Sequence, residues 1–353
     1  MNKVIEFLKK KGINFSLKTY GIDAMSAMAQ GLFASLLIGT ILNTLGTQFS
    51  LPILNQIGGF ASSVKGAAMA IAIGYALNTP ALVIFSLATV GYAADTLGGA
   101  GGPLAVLFIA IKSAELGKIV SKETKIDIII TPLVTILSGC LLSIYLAPHI
   151  GAAANAIGKA IMWATVQKPF IMGIIVSVVI GIALTLPISS AAICAALSLT
   201  GLAGGAALAG CCCQMVGFAV MSYKENKFGG LLAQGIGTSM LQMGNIVKNP
   251  KIWIPTILSS AICGPIATCI FKLEMNGPAI SSGMGTCGLV GQIGVYTGWI
   301  NDISSGLKVA ITMFDWFALV MISLILPAII TLILSEILRK IGWIKENDLK
   351  LDI

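Results

Sequence analysis

The residues best placed to do chemistry lie between Phe271 and Trp299, in the run FKLEMNGPAISSGMGTCGLVGQIGVYTGW. Glu274 is an ionisable group in apolar surroundings, where a carboxylate is costly unless it faces a cavity or a partner. It can accept hydrogen bonds from hydroxyl groups, or act as the base that takes a hydroxyl proton during phosphoryl transfer. The plainer alternative is a loop carboxylate paired with Lys272. Asn276, Ser281, Ser282 and Gln292 are neutral donors and acceptors suited to a polyhydroxylated ligand, although each taken singly also serves as a helix cap or an interhelical hydrogen bond. Asn78 with Thr79, and Ser189 with Ser190, offer the same chemistry where two other apolar runs are broken by Pro80 and Pro187.

Other chemistries find little support. Gly283 to Gly288 formally satisfies G-x-G-x-x-G, but it follows no strand, so a dinucleotide site is not expected. His149 is the one histidine and stands beside a proline at the end of a span, an interfacial rather than catalytic setting. Asp95, Asp302 and Asp315 are proton sites or simply span-end residues. All eight cysteines fall in apolar runs without C-x-x-C spacing. The Cys211-Cys212-Cys213 triplet cannot share one ligand sphere, because helical neighbours point about 100° apart. No metal and no cofactor are expected. No Ser/His/Asp set, catalytic carboxylate pair or P-loop is visible, and no soluble stretch is long enough for a nucleotide-binding or phosphocarrier domain. Energy for any transport would therefore come from a separate protein or an ion gradient, and whether the chain is itself an enzyme stays open.

The elements that must position these residues are membrane helices. Of 353 residues, 56% are hydrophobic and 10% charged, and the mean hydropathy is +0.94. Several apolar runs reach the ~20 residues that cross a bilayer. The net charge of +8 sits in end segments and short loops, as positive-inside placement and anionic headgroups require, so no nucleic-acid partner is expected. Basic stretches at 1–20 and 341–353 are expected to be a cytoplasmic amphipathic N-terminus and a cytoplasmic tail. Residues 21–340 form a single transport domain of about 8–10 transmembrane helices with broken or re-entrant segments. Breaks are expected at Asn78-Thr79-Pro80 and Leu186-Pro187, a watery loop from Lys112 to Asp127, a less apolar connection holding His149, Asn155 and Lys159, and a re-entrant or cavity-lining piece from Gly229 to Ile246. The site segment is 271–299 and the last span 309–338.

Three landmarks recur in one order. G-x-A-L-x-x-P occurs at Gly74–Pro80 and Gly181–Pro187, N-x-I-G at Asn55–Gly58 and Asn155–Gly158, and KIDIIITPLVTILSG from Lys125 resembles KIWIPTILSSAICG from Lys251. A duplicated unit of roughly 100 to 120 residues follows, with repeat 1 at about 31–130 and repeat 2 at about 131–255. An odd number of spans between the broken helices makes the repeats inverted, which places a substrate near the bilayer midplane. Glycines 288, 291, 294 and 298 read as close-packing positions that are compatible with lining such a site.

The block NGPAISSGMGTCGLVGQ at Asn276 to Gln292, with Asn78-Thr79-Pro80 and the Ala- and Gly-rich run Leu202 to Gln214, resembles the EIIC-like family of bacterial phosphotransferase-system membrane subunits, which includes the clostridial regulator of perfringolysin production. The likeness runs from about residue 20 to 340. It implies a sugar-translocating subunit of the bacterial plasma membrane. A separate EIIB protein then donates a phosphoryl group from Cys or His, the sugar hydroxyl is the nucleophile, and the membrane subunit supplies positioning and proton removal. A homodimer follows by analogy alone. The G-I-T-E-P motif that holds the key glutamate of glucose-type subunits is absent, and Glu274 precedes N-G-P instead. Two alternatives remain at this level: a membrane sensor of gene expression derived from the same fold, and an ion-coupled small-molecule transporter without phosphotransferase coupling.

Overall fold

The computed structural model describes residues 6–351 apart from 9 and 14, and within its helices the side chains of all but 48, 157–160, 162 and 196. It is 81% helical with no strand among the described residues, so the chain is an all-α polytopic membrane protein. Among the described residues five helices are long and apolar enough to cross a bilayer, and a bent pair makes up to six. The larger number expected from the sequence counts shorter apolar helices such as Pro169–Thr185. Two compact units divide the chain, Met1–Ala153 and Ala154–Ile353.

The first unit contains α1 (Lys18–Thr47), α2 (Pro52–Ser63), α3 (Lys65–Ala76), α4 (Ala81–Gly98), α5 (Gly102–Val120) and most of α6 (Asp127–Thr165). Pro52 opens α2, where its missing N–H costs nothing. A 49° bend separates α2 from α3. The break between α3 and α4 has a defined chemistry. Asn78 takes the left-handed conformation at φ 53, its N–H bonds Tyr75 O at 3.0 Å, and the Thr79 N–H bonds Gly74 O at 3.1 Å. These are the two closing bonds of a Schellman stop, and Pro80 then forbids the helix from resuming in register. The polar connection expected around His149 is instead helical. Helix α6 continues to Thr165 with Pro132 and Pro148 inside it, because each proline removes only one ladder bond and the Ala-rich sequence beyond favours helix. The N-x-I-G landmark at Asn155–Gly158 and Lys159 fall partly outside the described side chains, as do residues 1–5 of the N-terminal segment.

The second unit contains α7 (Pro169–Thr185), α8 (Ser190–Ala196), α9 (Gly201–Met221), α10 (Tyr223–Leu232), α11 (Met243–Lys248), α12 (Pro250–Ile270), α13 (Val290–Ser304) and α14 (Met313–Lys340). Helix α9 is its axis, 94% buried across its most apolar window and packed by α7, α12 and α14. Small residues permit this. A Cβ at Gly210 would strike the backbone of Ser177 in α7, and one at Gly217 would reach Thr256 and Thr331. Cys211, Cys212 and Cys213 are fully buried in α9, consistent with packing rather than ligation. The Gly229 to Ile246 piece passes through π-helical Ala233–Gly237 and 3-10 Ser239–Gln242. The C-terminal stretch does not hang free. Asn226 Nδ2 and Gln242 Nε2 donate to Leu349 O at 2.8 and 3.0 Å, and Asn245 Nδ2 donates to Lys350 O at 2.8 Å.

Candidate functional site

The segment from Phe271 to Trp299 is a hairpin of unlike arms. Residues after α12 run extended, and Gly201 and Met275 exchange two backbone hydrogen bonds at 3.0 and 3.1 Å. Alternation in an extended chain sends successive side chains to opposite faces. Leu273 and Met275 therefore turn inward, buried with Cys212, Cys263, Val295 and Trp299, while Glu274 and Asn276 share the other face. The arm can lie this close to α9 because Gly205 has no Cβ to strike Leu273 O. The chain then turns through 3-10 Ala279–Gly283 and Cys287–Leu289 and returns as α13. Gly291, Gly294 and Gly298 of α13 face Gly285, Ser281 and the Asn276–Gly277 backbone, where added Cβ atoms would collide. Gly288 does different work from the expected packing, adopting φ 52 in a left-handed turn with Leu289 at φ 59.

At the mouth of the hairpin the Asn276 amide bridges two carboxylates. Its Nδ2 donates to Glu274 Oε2 at 3.1 Å and to Asp302 Oδ2 at 2.9 Å. Glu274 is exposed and Asn276 and Asp302 are half-buried, so acceptor oxygens remain for an incoming group. Glu274 forms no ion pair with Lys272 among the described residues. Deeper in the second unit, Gln292 Nε2 reaches Cys212 Sγ at 3.5 Å, and its Oε1 is buried without a hydrogen-bond partner among the described residues.

The remaining candidates are architectural in this geometry. Ser282 Oγ donates to Leu199 O at 2.5 Å and Ala279 O at 2.9 Å, and Ser190 Oγ donates to Gly283 O at 2.7 Å. Together they tie the hairpin tip to the broken-helix region around α8. Ser189 Oγ accepts from Ala192 N at 3.2 Å as the cap of α8. Ser281 is buried against Gly294. Asn78 and Thr79 lie in the first unit as the stop of α3, with Thr79 Oγ1 donating to Gly74 O at 3.0 Å.

Two polar groupings escaped the sequence reading. In the second unit Gln214 Oε1 accepts from Trp253 Nε1 at 2.8 Å, Thr256 Oγ1 at 3.0 Å and Thr185 Oγ1 at 3.1 Å, and Thr185 meets Ser239 at 2.8 Å. An isolated amide in so apolar a helix, with Trp253, Thr256 and Ser260 spaced along one face of the next span, was the available signal. In the first unit Lys65, at the bend between α2 and α3, forms an ion pair with Asp95 of α4. Asp95 is a sequence candidate, but its pairing with Lys65 depends on how α3 and α4 pack, with Gly66 against Gly91 and Gly74 against Leu87.

Among the described residues no group of three or more His, Cys, Asp or Glu could hold a metal ion. The hairpin, the bridged carboxylates and the glycine-packed helices all fall within the stretch matched by one family model, Phosphotransferase system, EIIC, which covers residues 22–351. No curated relative and no solved structure matches the chain significantly. The chain belongs to the phosphotransferase-system EIIC family and is a permease-type membrane subunit.

Proposed function

We propose that this subunit binds a sugar or similar polar small molecule at the mouth of the 271–299 hairpin and carries it across the bacterial plasma membrane. The observation that carries the reading is the Asn276 amide held between Glu274 and Asp302. Two carboxylates in hydrogen-bond reach of one amide make a bidentate acceptor for vicinal hydroxyls, with the amide fixing their separation. Gln292 Oε1, buried and without a donor, is a further acceptor that a bound hydroxyl would satisfy.

Coupling runs through a separate EIIB protein. The sulfur–phosphorus or nitrogen–phosphorus bond of its phosphorylated Cys or His breaks as the sugar oxygen bonds phosphorus, and the hydroxyl proton passes to Glu274. Positioning and proton removal are what the membrane subunit contributes. Both termini are placed on the cytoplasmic side, where EIIB resides, and the subunit works as a homodimer. The inverted repeat belongs to the same reading and is supported by the breaks themselves. Helix α3 ends at Ala76 and α4 begins at Ala81, while α7 ends at Thr185 and α8 begins at Ser190, so a break with four residues between its helices accompanies each copy of G-x-A-L-x-x-P. Half-helix ends of this kind offer dipoles and free backbone groups to a ligand near the bilayer midplane.

The test is thermal stabilisation of the purified protein by a panel of sugars, since a ligand that binds only the native state raises its midpoint. A hit that Glu274→Gln and Asn276→Ala both abolish is expected. A hit that neither variant weakens moves the site elsewhere, and stabilisation by no sugar removes the substrate class.

A further inference from the structure

Lys10 and Lys11 of the N-terminal segment, Asn78 and Pro80 of the α3–α4 break, and Lys118, Ser121, Lys122 and Glu123 at the end of α5 line an open cavity of about 350 Å³ in the first unit. Four lysines face one glutamate, a lining charge of +3, or +2 once Glu115 behind Lys118 is included. This charge is built into the fold rather than scattered over a surface. Lys118 is 2% exposed, and among the described residues its Nζ has only long contacts, 3.4 Å to Glu115 Oε1 and 3.3 Å to Gly12 O. Tyr20 OH draws on the same Glu115 oxygen at 3.0 Å, so the buried ammonium is under-satisfied. Lys11 Nζ is held by Ser121 O at 2.6 Å and Glu123 Oε1 at 2.5 Å, which fixes one wall. Lys10 and Lys122 are exposed and pair with no carboxylate side chain among the described residues. The Schellman stop turns Asn78 to the same cavity, adding an amide donor.

We propose that this cavity binds a phosphate group, as the dianion or as a phosphate monoester. A compact dianion offers enough acceptor oxygens for several ammonium donors and the Asn78 amide at once, and point-charge lysines serve such a ligand without the planar geometry a carboxylate would favour. Phosphate would also neutralise the Lys118 ammonium, whose burial is otherwise costly. The site stands apart from the Glu274 hairpin and does not depend on the sugar reading. Two sources carry the same chemistry: a small soluble phosphate ester, and the headgroup of an anionic phospholipid reaching in from the bilayer.

The experiment uses the full chain in phosphatidylcholine nanodiscs, titrated with inorganic phosphate against chloride at constant ionic strength, with binding read by calorimetry. Saturable binding is expected, weakened about tenfold by Lys10→Gln with Lys122→Gln, which remove donors that hold no ion pair in the fold. Lys168→Gln, an exposed cation of the second unit, is expected to leave it unchanged. Competition by glycerol 3-phosphate assigns the site to a soluble ester. Loss of phosphate binding only when phosphatidic acid is added to the discs assigns it to the headgroup. Heat that tracks ionic strength alone, or saturable binding that the double variant retains in full, overturns the proposal.

Discussion

Asn276 sits at the centre of the proposed site because an amide nitrogen has two hydrogens and here both are directed at carboxylates. Removing it leaves Glu274 and Asp302 free to repel one another, without disturbing the inward face that carries Leu273 and Met275. Asn276→Ala is therefore expected to weaken sugar binding about tenfold or more while moving the thermal midpoint little, as for a partly exposed polar contact; equal affinity in the variant would remove Asn276 from the site. Ser282 makes the contrasting case. Its hydroxyl satisfies two carbonyls inside the fold, so Ser282→Ala should cost about 1–3 kcal/mol of stability, with sugar affinity retained in the protein that remains folded. Thermal unfolding and ligand titration of the same preparation separate the two effects. The sequence named both residues as ligands, since Asn and Ser carry the same donors and acceptors wherever they fall. Only the extended backbone at 273–276, which turns Asn276 outward, and the turn that buries Ser282 tell them apart.

Among the elements, α9 and the arm that follows α12 determine whether the site exists at all. Helix α9 is apolar on every side, as expected of a central helix, and its glycines mark where other backbones approach. Gly205→Val would drive a side chain into Leu273 O, push the extended arm away and separate Met275 from its Gly201 partner. Loss of sugar binding together with a lowered thermal midpoint is expected, whereas substitution at Gly229, which has open space around it, should be tolerated; calorimetric scans of both variants check this. The broken helices at Pro80 and Pro187, the buried cysteine triplet and the irregular 271–299 segment were legible because proline, glycine and hydrophobic runs act locally. Asp302 beside Asn276, Gln214 beneath Trp253 and the C-terminal stretch clasped by Asn226, Gln242 and Asn245 were not. Each joins residues far apart in sequence, and no period or motif encodes such a meeting. Helix α6 misled for the opposite reason: His149, Asn155 and Lys159 suggest a connection after Ala147, where the helix in fact continues to Thr165.

For the whole molecule the deciding question is what drives accumulation. A proton-coupled carrier needs an ionisable group that the proton can occupy in one state and leave in another. In the apolar first unit Asp95 is already engaged by Lys65, so a coupling ion would have to displace an ammonium, and the loss of either partner would leave a buried charge uncompensated. Glu274 and Asp302 of the second unit both accept from Asn276, and in the proposed function they hold hydroxyls. Phosphorylation asks less of the membrane part: once the sugar becomes a dianion its return through an apolar bundle is blocked by the cost of desolvating the charge. In proteoliposomes supplied with phosphorylated EIIB on one side, labelled sugar should accumulate as its phosphate ester on that side, and an imposed proton gradient without EIIB should produce only equilibration. Asp95→Asn should then lower stability without conferring or abolishing a dependence on the gradient, because its carboxylate serves the α3 and α4 packing. Accumulation of unmodified sugar driven by the gradient, and lost in Asp95→Asn, would transfer the coupling to the Lys65 and Asp95 pair and overturn the phosphotransfer mechanism.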